Sequence, residues 1–270
     1  MLVVIDVGNT NITLGVYDQD ELIANFRLTT KLQRTSDEFG ITLFSFFQTK
    51  NIDPKGVEDV LISSVVPKIM HSLTNAIRKY FNIEPIIVGP GIKTGISVKT
   101  ENPREVGADR IVDIAAAYHI YGGPALVIDF GTATSFDIVN SKKEFLGGVI
   151  APGINTQVKC LKNATSKLPK IDISISPSAI GKNTTDAILS GVIRGSACMV
   201  DGLVAQCEKE LGNKATIIAT GGYCGLIANY MTRPFDVVNP ILTLEGLKRI
   251  YELNTVENKI SQMNCINLQK

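Results

Sequence analysis

The same short pattern stands twice in this chain, each time at the end of an apolar run. Residues 3–11 read VVIDVGNTN and residues 127–134 read VIDFGTAT, so Asp6 and Asp129 both precede tight turns of glycine and threonine. An offset of 123 residues relates the two motifs and also aligns Gly8 with Gly131, Val4 with Val127 and Val16 with Val139. Turn chemistry explains one such aspartate but not its recurrence at corresponding points. We therefore interpret the chain as a duplicated unit.

Apolar runs and alternating patterns predict the elements of the first half. The expected strands are 2–7, 12–17 and 22–28, which form an antiparallel meander, followed by 57–63 and 84–88. The expected helices run from a cap at Thr35 to about residue 50, over 67–81 and over 106–121. Glycine and proline mark 89–103 as a loop.

The second half repeats this order. Its expected strands are 125–129, 135–140, 144–150 and 215–219, and its expected helices are 155–163, 186–211, 226–230 and 241–253. We therefore divide the chain into an N-terminal subdomain (1–115), a C-terminal subdomain (116–255) and a polar tail (256–270) that is expected to fray.

Composition and charge exclude several classes of function. The 270 residues include 27 Lys and Arg against 26 Asp and Glu, and the net charge of +1 favours neither a nucleic-acid nor a membrane partner. No basic leader precedes the first strand, and no apolar run reaches the roughly 20 residues that span a bilayer. The five cysteines contain no Cys-x-x-Cys pair, which favours reduced, packing thiols in a cytoplasmic protein.

A carboxylate beside a Gly-Thr turn at a strand end suits phosphate binding. Backbone N–H groups and hydroxyls of such a turn cradle phosphate oxygens, while the carboxylate holds a cation directly or through water. Two halves that face each other would form a cleft with one turn on each wall. The familiar patterns G-x-x-x-x-G-K-[ST] and G-x-G-x-x-G after a strand do not occur in the sequence.

Four motifs resemble, in their order, those of the type III pantothenate kinase family, in the superfamily of acetate and sugar kinases, Hsp70 and actin. They are residues 6–10 (DVGNT), 107–110 (GADR), 129–134 (DFGTAT) and 147–153 (GGVIAPG). The resemblance implies an α/β fold of duplicated ribonuclease H-like (actin-like ATPase) domains. Each domain would contain a mixed five-stranded sheet with an antiparallel meander and flanking helices, and ATP would bind in the cleft between them.

The resemblance also implies ATP-dependent phosphorylation of the primary hydroxyl of pantothenate, the first step of coenzyme A biosynthesis, with Asp109 as the catalytic base. The residues implied to bind ATP are Asp6, Val7, Gly8, Asn9, Thr10, Asn11, Ile12, Thr13 and Thr132. The residues implied to bind pantothenate are Thr100, Gly107, Ala108, Asp109, Arg110 and Thr184. Asp129 is the implied ligand of a monovalent cation, K⁺ or NH₄⁺, and Asp6 that of Mg²⁺.

Some of these residues also have plainer interpretations. Asp109 stands at the start of a predicted helix, where an acid stabilises the helix dipole. Arg110 suits a surface ion pair, and Thr184 suits a helix cap. Gly221 and the glycine after it resemble a close-approach turn near adenosine, but they equally suit a plain loop. Related chains often carry tyrosine as a wall of the pantothenate pocket where this chain has Thr100, so the substitution bears on substrate affinity.

The family is dimeric, which implies a homodimer with the acceptor pocket near the subunit interface. Apolar positions along the helix 186–211 suit both a core and a partner, or a core alone. Two alternatives to a pantothenate kinase stay open, namely a kinase of this fold for another small acceptor and a non-catalytic accessory regulator. Intact Asp6, Asp109 and Asp129 favour an enzyme, and the sequence shows neither a basic stripe nor a helix-turn-helix.

Overall fold

The computed structural model describes residues 1–30, 32–165, 168–169 and 171–268, with side chains through residue 255. The chain divides into two compact units. The first comprises Met1–Ile96, Asn102–Ala116 and the residues from Thr243 onward, and the second comprises Ser97–Glu101 and Ala117–Leu242.

The first unit is built on a mixed sheet with the strand order β3-β2-β1-β4-β5. Its strands are β1 (Leu2–Val7), β2 (Asn11–Asp18), β3 (Glu21–Thr29), β4 (Asp59–Ser64) and β5 (Ile86–Ile87). Its helices are α1 (Ser36–Thr49), α2 (Pro67–Phe81), the first part of α3 (Ala108–Tyr121) and α8 (Leu242–Leu268). The predicted meander is confirmed, while β4 begins two residues later than predicted and β5 is shorter.

The helix α1 begins and packs as its sequence predicts. The Thr35 side chain accepts a hydrogen bond from the Glu38 N–H, and the Glu38 carboxylate accepts one from the Thr35 N–H, which makes a capping box. Phe39, Leu43 and Phe47 follow at a spacing of four residues, and all three are buried in the core that also contains the apolar side chains of β1. The spacing places them on one helix face, which fixes α1 on the sheet.

The second unit contains an equivalent sheet with the order β11-β10-β7-β8-β9-β6. Its strands are β6 (Ser97–Val98), β7 (Ala125–Phe130), β8 (Ala133–Val139), β9 (Glu144–Pro152), β10 (Thr216–Gly221) and β11 (Val237–Val238). Its helices are the end of α3, α4 (Ile154–Ala164), α5 (Thr184–Leu189), α6 (Gly195–Leu211) and α7 (Cys224–Ala228). The strands β7 to β11 repeat the order and directions of β1 to β5, which confirms the duplication.

The strand β6 was missed because it lies in the stretch 89–103 that glycine and proline mark as a loop. It pairs in parallel with β9, and the Lys99 N–H donates to the Phe145 carbonyl over 2.9 Å. In the described part of the chain the second sheet therefore has six strands. The five strands predicted for each sheet are correct only for the first unit.

The turn after the first strand is one residue shorter in the second meander. Residues 8–10 separate β1 from β2, whereas residues 131–132 separate β7 from β8. Val16 pairs with Val3, and the equivalent of Val3, Leu126, pairs with Ile138. The predicted match of Val16 with Val139 is therefore wrong by one residue, because the constant offset ends at the turn.

The predicted helix 186–211 is one helical run, Thr184–Leu211, with a π turn at Ser190–Arg194 between α5 and α6. Four of its predicted apolar positions, Val192, Ile193, Ala197 and Val200, are buried in the core of the second unit. The helix therefore serves the core of its own unit.

Of the described residues, this run is the one helix long and apolar enough, by length and composition, to cross a membrane. No continuous apolar run of this length is apparent in the sequence, because charged residues interrupt it. In the structure, 44% of its most apolar window is buried within the protein, and core helices of soluble proteins meet the same criteria.

The last helix, α8, corrects the predicted domain limits. Gly246 packs so closely on α3 that a Cβ there would lie 2.5 Å from the Val112 carbonyl oxygen. The Thr243 hydroxyl donates to the buried Asp113 carboxylate over 2.6 Å. These contacts join α8 to the first unit, so residues 116–255 do not form one unit. The predicted tail 256–270 begins inside α8, and its side chains lie outside the described residues.

A buried ion-pair network around Glu208 stabilises the second unit. Glu208 is 6% exposed, and its carboxylate accepts hydrogen bonds from Lys214, Arg233 and the Ala215 N–H over 2.7, 2.8 and 3.1 Å. Burial opposes ionisation, but these donors outweigh it and lower the pKa of Glu208 to about 2. A carboxyl with a lowered pKa stabilises the fold above its unfolded pKa, and this stabilisation is lost as the pH falls toward the folded value.

Glu208→Gln is therefore expected to lower the free energy of unfolding at neutral pH by about 2–3 kcal/mol, less than for a fully buried pair because Lys214 is largely exposed. Urea titrations of both proteins at several pH values measure the difference. It should shrink as the pH falls from about 4.5 toward 2, because Glu208 of the unfolded wild-type chain is protonated in this range and the proton favours unfolding. A difference that is constant over this range would contradict the assignment.

Candidate active site

The first of the two repeated turns lies at an edge of the first sheet, directly after β1. The Gly8 N–H donates to the Asn11 carbonyl over 3.0 Å and closes the turn. Asp6 stands one residue before the end of β1, in register with Thr13 of β2 and Ser63 of β4. The Ser63 hydroxyl is buried and has no hydrogen-bond partner among the described residues. This edge of the sheet thus combines a carboxylate, an unsatisfied hydroxyl and a glycine turn.

Two residues implied to bind ATP have side chains that point into the protein. Val7 and Ile12 are buried in the core of the first unit, so only their backbone groups are available to a ligand. Asn9 and Asn11 are exposed, and Thr10 and Thr13 are partly exposed. The polar side chains and the backbone groups of this turn are therefore the candidates for contact with ATP, and the apolar side chains are not.

Thr30, which the sequence analysis did not identify, fixes the first turn from outside. Its hydroxyl donates to the Gly8 carbonyl over 2.7 Å, and its N–H donates to the Thr10 carbonyl over 2.9 Å. Thr30 directly follows β3 and is itself buried. Thr30 therefore fixes the backbone of the turn and, with it, the directions of the N–H groups of the turn.

Thr30→Val keeps the size of the side chain but removes the hydroxyl, so the turn should be less ordered. If the turn binds the phosphates of ATP, the KM for ATP should rise about five- to ten-fold, as for one lost hydrogen bond. Steady-state kinetics measure this change. Thr42→Val is a matched control, since the Thr42 hydroxyl donates over 2.6 Å to a helix carbonyl on the surface of the same unit. Equal effects in both variants would contradict the role of Thr30.

Asp109 lies at the start of α3, close to the same edge of the first sheet. A Cβ built at Gly107 would contact the Asp109 carboxylate and would lie 3.4 Å from Cγ1 of Val65. The Val65 N–H in turn donates to the Val7 carbonyl at the end of β1 over 3.1 Å. This chain of contacts brings Asp109 to the end of the sheet where Asp6 stands.

The environment of Asp109 suits a proton acceptor. Its Oδ1 accepts the Arg110 N–H over 2.8 Å. Burial raises the pKa of Asp109 above its ordinary value, and the hydrogen bond and charge of Arg110 oppose this rise only in part. A base is most efficient when its pKa approaches the working pH, so the raised pKa favours catalysis. The side chain is partly exposed, which leaves it accessible to a substrate.

Asp129 and the second turn lie at the equivalent edge of the second sheet. Asp129 is in register with Ser135 of β8 and Thr220 of β10. Gly221, which follows Thr220, has a φ of +85°. A Cβ there would contact the Asp129 carboxylate and would lie 2.7 Å from the Phe130 nitrogen. Gly221 is the last residue of β10 and closely approaches Asp129 and Phe130 of β7. The alternative of a plain loop at Gly221 is therefore wrong.

A threonine also fixes the second turn. The Thr132 carbonyl accepts the Thr156 hydroxyl over 2.6 Å and the Gly153 N–H over 3.1 Å. Thr156 lies in the first turn of α4, just after β9, as Thr30 lies just after β3. In each unit, a threonine beyond the third strand of the meander therefore positions the turn between the first two strands.

The implied pantothenate residues are divided between the two units. Gly107, Ala108, Asp109 and Arg110 belong to the first unit, whereas Thr100 and Thr184 belong to the second. The hydroxyl of Thr100 is buried without a hydrogen-bond partner among the described residues, and its methyl group lies 3.8 Å from a Cβ built at Gly147. Thr100 thus packs against β9.

Thr184 lines an open groove of about 880 Å³ in the second unit. It is the first residue of α5 and is exposed. Asn183 is the residue that caps this helix, because its side chain accepts the Asp186 N–H over 2.9 Å. The interpretation of Thr184 as the cap is therefore wrong, and the Thr184 side chain is available to the groove.

The predicted metal sites contain few side-chain ligands. Among the residues whose side chains the structure describes, no group of three or more His, Cys, Asp or Glu could hold a metal ion. A cation at Asp6 or Asp129 would therefore take most of its ligands from backbone oxygens, phosphate or water. Burial and the negative charge of Asp129 raise the pKa of the Cys224 thiol. The buried thiol of Cys224 agrees with the predicted packing role, whereas Cys160 and Cys198 are exposed and do not.

Comparisons with known proteins identify the family of this chain. A model of the type III pantothenate kinase family matches residues 2–206. A type III pantothenate kinase from Exiguobacterium sp. is 46% identical over 254 residues, which cover 94% of this chain and 99% of that protein. One from Listeria welshimeri is 44% identical over 254 residues, with a coverage of 94% and 98%. The chain belongs to the type III pantothenate kinase family.

Solved structures share the fold of this family member at low sequence identity. A protein from Campylobacter jejuni described as a Baf family transcriptional activator matches with a TM-score of 0.58 and 22% identity, covering 94% of this chain and 98% of that one. The activator of the 2-hydroxyisocaproyl-CoA dehydratase from Clostridium difficile, solved with bound ADPNP, matches with a TM-score of 0.56 and 11% identity, covering 96% and 97%. These likenesses support the duplicated α/β fold.

Proposed function

We propose that this chain transfers the γ-phosphoryl group of ATP to the primary hydroxyl of pantothenate, the first step of coenzyme A biosynthesis. Membership of the type III pantothenate kinase family over nearly the whole chain supports the reaction. The single observation that carries the mechanism is the position of Asp109, a partly buried carboxylate with a raised pKa beside the edge of the sheet that holds Asp6. This arrangement joins a proton acceptor to a phosphate-binding turn.

In the proposed mechanism, Asp109 accepts the proton of the pantothenate hydroxyl as that oxygen attacks the γ-phosphorus. Phosphoryl transfer needs an aligned nucleophile and neutralised phosphate charge more than covalent participation by the protein. The Arg110 N–H fixes the Asp109 carboxylate in one orientation over 2.8 Å. The raised pKa of Asp109 lets it hold the proton at the end of the step.

The turn 8–10 and Asp6 would hold the phosphates of ATP. The Ser63 hydroxyl, buried without a partner beside Asp6 in register, and the open glycine turn fit a hydrated Mg²⁺ bound to phosphate, because this ion keeps several waters and uses few carboxylates. Mg²⁺ supplies neutralisation of phosphate charge when it is bound. Thr30, which bonds the Gly8 and Thr10 carbonyls, would position the backbone N–H groups of the turn for the phosphates.

Asp129 would hold the monovalent cation, and Thr132 would contact the nucleotide. The close approach of Gly221 leaves the Asp129 carboxylate against backbone groups, and carboxylate and carbonyl oxygens are ligands that suit a hard cation.

We expect turnover with K⁺ or NH₄⁺ to exceed turnover with Na⁺, and Asp129→Asn to abolish this difference. Rates that are equal in all three ions would remove Asp129 from this role.

Pantothenate would use the groove that Thr184 lines, and the family resemblance implies that Thr100 contacts pantothenate as well. The groove combines polar groups at Gln157 and Asn183 with apolar walls at Leu161 and Ile188, which suits a ligand with hydroxyl, amide and dimethyl groups. Lys182 also lines the groove and would offer a positive charge to a carboxylate.

We also propose a cytoplasmic homodimer. Exposed side chains alternate along β9 and include Leu146 and Ile150, at 43% and 63% exposure, and an apolar strand face of this kind is typical of an interaction surface. Light scattering should give the mass of a dimer, and Ile150→Lys should shift it toward the monomer. A monomeric wild-type protein would contradict the proposal.

The release of ADP tests the function. Purified protein with ATP, Mg²⁺ and K⁺ should release ADP only when pantothenate is present. Release that depends on a different hydroxyl acceptor would favour another kinase of the fold. Binding of ATP without turnover on any acceptor would favour the accessory regulator.

A further inference from the structure

The segment 176–183, which we call the strap, precedes α5 and carries one wall of the groove. Gly181, Lys182 and Asn183 at its end line the groove together with Thr184. A Cβ built at Gly181 would collide with the backbone nitrogen of Ala187. The strap therefore lies directly on α5, and a small displacement of the strap moves this wall.

The π turn at Ser190–Arg194 contacts the strap with one set of side chains and the groove with another. The Gly195 N–H donates to the Ser190 carbonyl, a bond across five residues that widens the helix at this point. Gly191 and Val192 line the groove. The Ser190 hydroxyl, which is nearly buried, donates to the Ala179 carbonyl in the middle of the strap over 2.6 Å.

Arg194 and Tyr230 hold the beginning of the strap. The Arg194 Nε and Nη2 donate to the hydroxyl and the carbonyl of Ser176 over 3.2 and 3.4 Å. The guanidinium lies over the Tyr230 ring, 4.8 Å from its centroid. The Tyr230 hydroxyl accepts the Ser176 N–H over 2.8 Å. Ser176 is 2% exposed, so this end of the strap is anchored in the protein.

We infer that Ser190, Arg194 and Tyr230 are positioning residues that fix the strap and so set the wall of the groove for the acceptor. The inference rests on the proposed function, in which pantothenate uses this groove. A strap that leaves its anchored position part of the time lowers the fraction of protein competent to bind the acceptor, and the apparent affinity falls by that fraction. ATP, which the repeated turns would bind, should be little affected.

Ser190→Ala and Tyr230→Phe each remove a hydroxyl that bonds the strap, and Arg194→Lys keeps the charge but loses the planar fork. In each variant the KM for pantothenate should rise about five- to ten-fold, while the KM for ATP changes less than about two-fold. Ser45→Ala is the matched control. The Ser45 hydroxyl donates over 2.9 Å to the Ile41 carbonyl within α1, which belongs to the first unit, whereas the groove belongs to the second. A purely structural role would lower the thermal stability and raise both KM values together.

Hydrogen exchange of the strap amides supplies a readout that is independent of activity. Exchange over residues 176–183 should be faster in Ser190→Ala and Tyr230→Phe than in wild type, and unchanged in Ser45→Ala. Unchanged exchange in the first two variants would overturn the anchoring of the strap. Faster exchange with an unchanged KM for pantothenate would overturn the link to the acceptor. Wild-type protein without pantothenate-dependent turnover would overturn the proposed function itself, whatever the exchange shows.

Discussion

Asp109→Asn is expected to lower kcat by about 10²–10⁴-fold, the usual contribution of a general base, while ATP still binds with nearly unchanged affinity. The neutral amide cannot accept the hydroxyl proton of the acceptor. It does retain an oxygen that accepts the Arg110 N–H, as Oδ1 of Asp109 does over 2.8 Å, so the start of α3 should keep its structure. Single-turnover phosphoryl transfer and titration with a non-hydrolysable ATP analogue separate the two effects.

The matched control for this variant is Asp37→Asn. Asp37 is also an acid in the first turn of a helix, α1, in the same unit. If Asp109 acted only through the helix dipole, Asp109→Asn should lose only about 0.3–1 kcal/mol of stability and should stay as active as Asp37→Asn, which also weakens the exposed contacts of Asp37 with Lys79 and Tyr80. We expect Asp37→Asn to turn over at the wild-type rate. A fully active Asp109→Asn would remove Asp109 from the mechanism.

Gly221→Ala is expected to destabilise the second unit by about 2–4 kcal/mol, from the left-handed backbone and from overpacking. The φ of +85° disfavours any side chain, and the Cβ would lie 2.7 and 2.8 Å from the backbone nitrogen and carbon of Phe130. Backbone atoms within a strand cannot move aside. The shift should also displace the Asp129 carboxylate, and a displacement of about 1 Å at such a site costs up to 10²-fold in activity.

The neighbouring Gly222 offers the control. A Cβ built there meets no atom within 4 Å, so Gly222→Ala should change stability by no more than about 0.5 kcal/mol and leave the cation dependence intact. Thermal unfolding and turnover in K⁺ measure both variants. Equal stability and activity of the two alanine variants would show that the close approach at Gly221 has no consequence.

Local signals in the sequence predicted most of the fold. The capping box at Thr35 and Glu38 acts over three residues, and the alternation of β1 to β3 acts within each strand, so both can be recognised without knowing distant contacts. The duplicated motif predicted the common strand order of β1 to β5 and β7 to β11. The four motifs predicted the family, whose model matches residues 2–206.

Features that depend on distant pairing were not predictable in this way. Two residues of β6 form a strand only because the exposed edge of β9 is available to them. α8 joins the first unit through Thr243 and Gly246, which contact α3 more than 120 residues away in sequence. Nothing local in these segments indicates the partner.

The charged residues of the site could be predicted from the sequence, but the residues that hold its two turns in place could not. Asp6, Asp109 and Asp129 stand in motifs, whereas Thr30 and Thr156 hold the turns from positions with no motif. Their shared place after the third strand of each meander is visible only once the strand registers are known. The burial of Val7 and Ile12 also follows from the register, because alternate residues of β1 and β2 face the core.

The most direct test of the central claim is the identity of the phosphorylated product. Wild-type protein incubated with pantothenate, ATP, Mg²⁺ and K⁺ should give a phosphate monoester whose phosphorus correlates, in a ³¹P–¹H NMR spectrum, with the methylene protons beside the primary hydroxyl. Asp109→Asn should give almost none of this product in the same time. A correlation with the secondary carbinol proton, or unmodified pantothenate beside released inorganic phosphate, would contradict the proposed reaction.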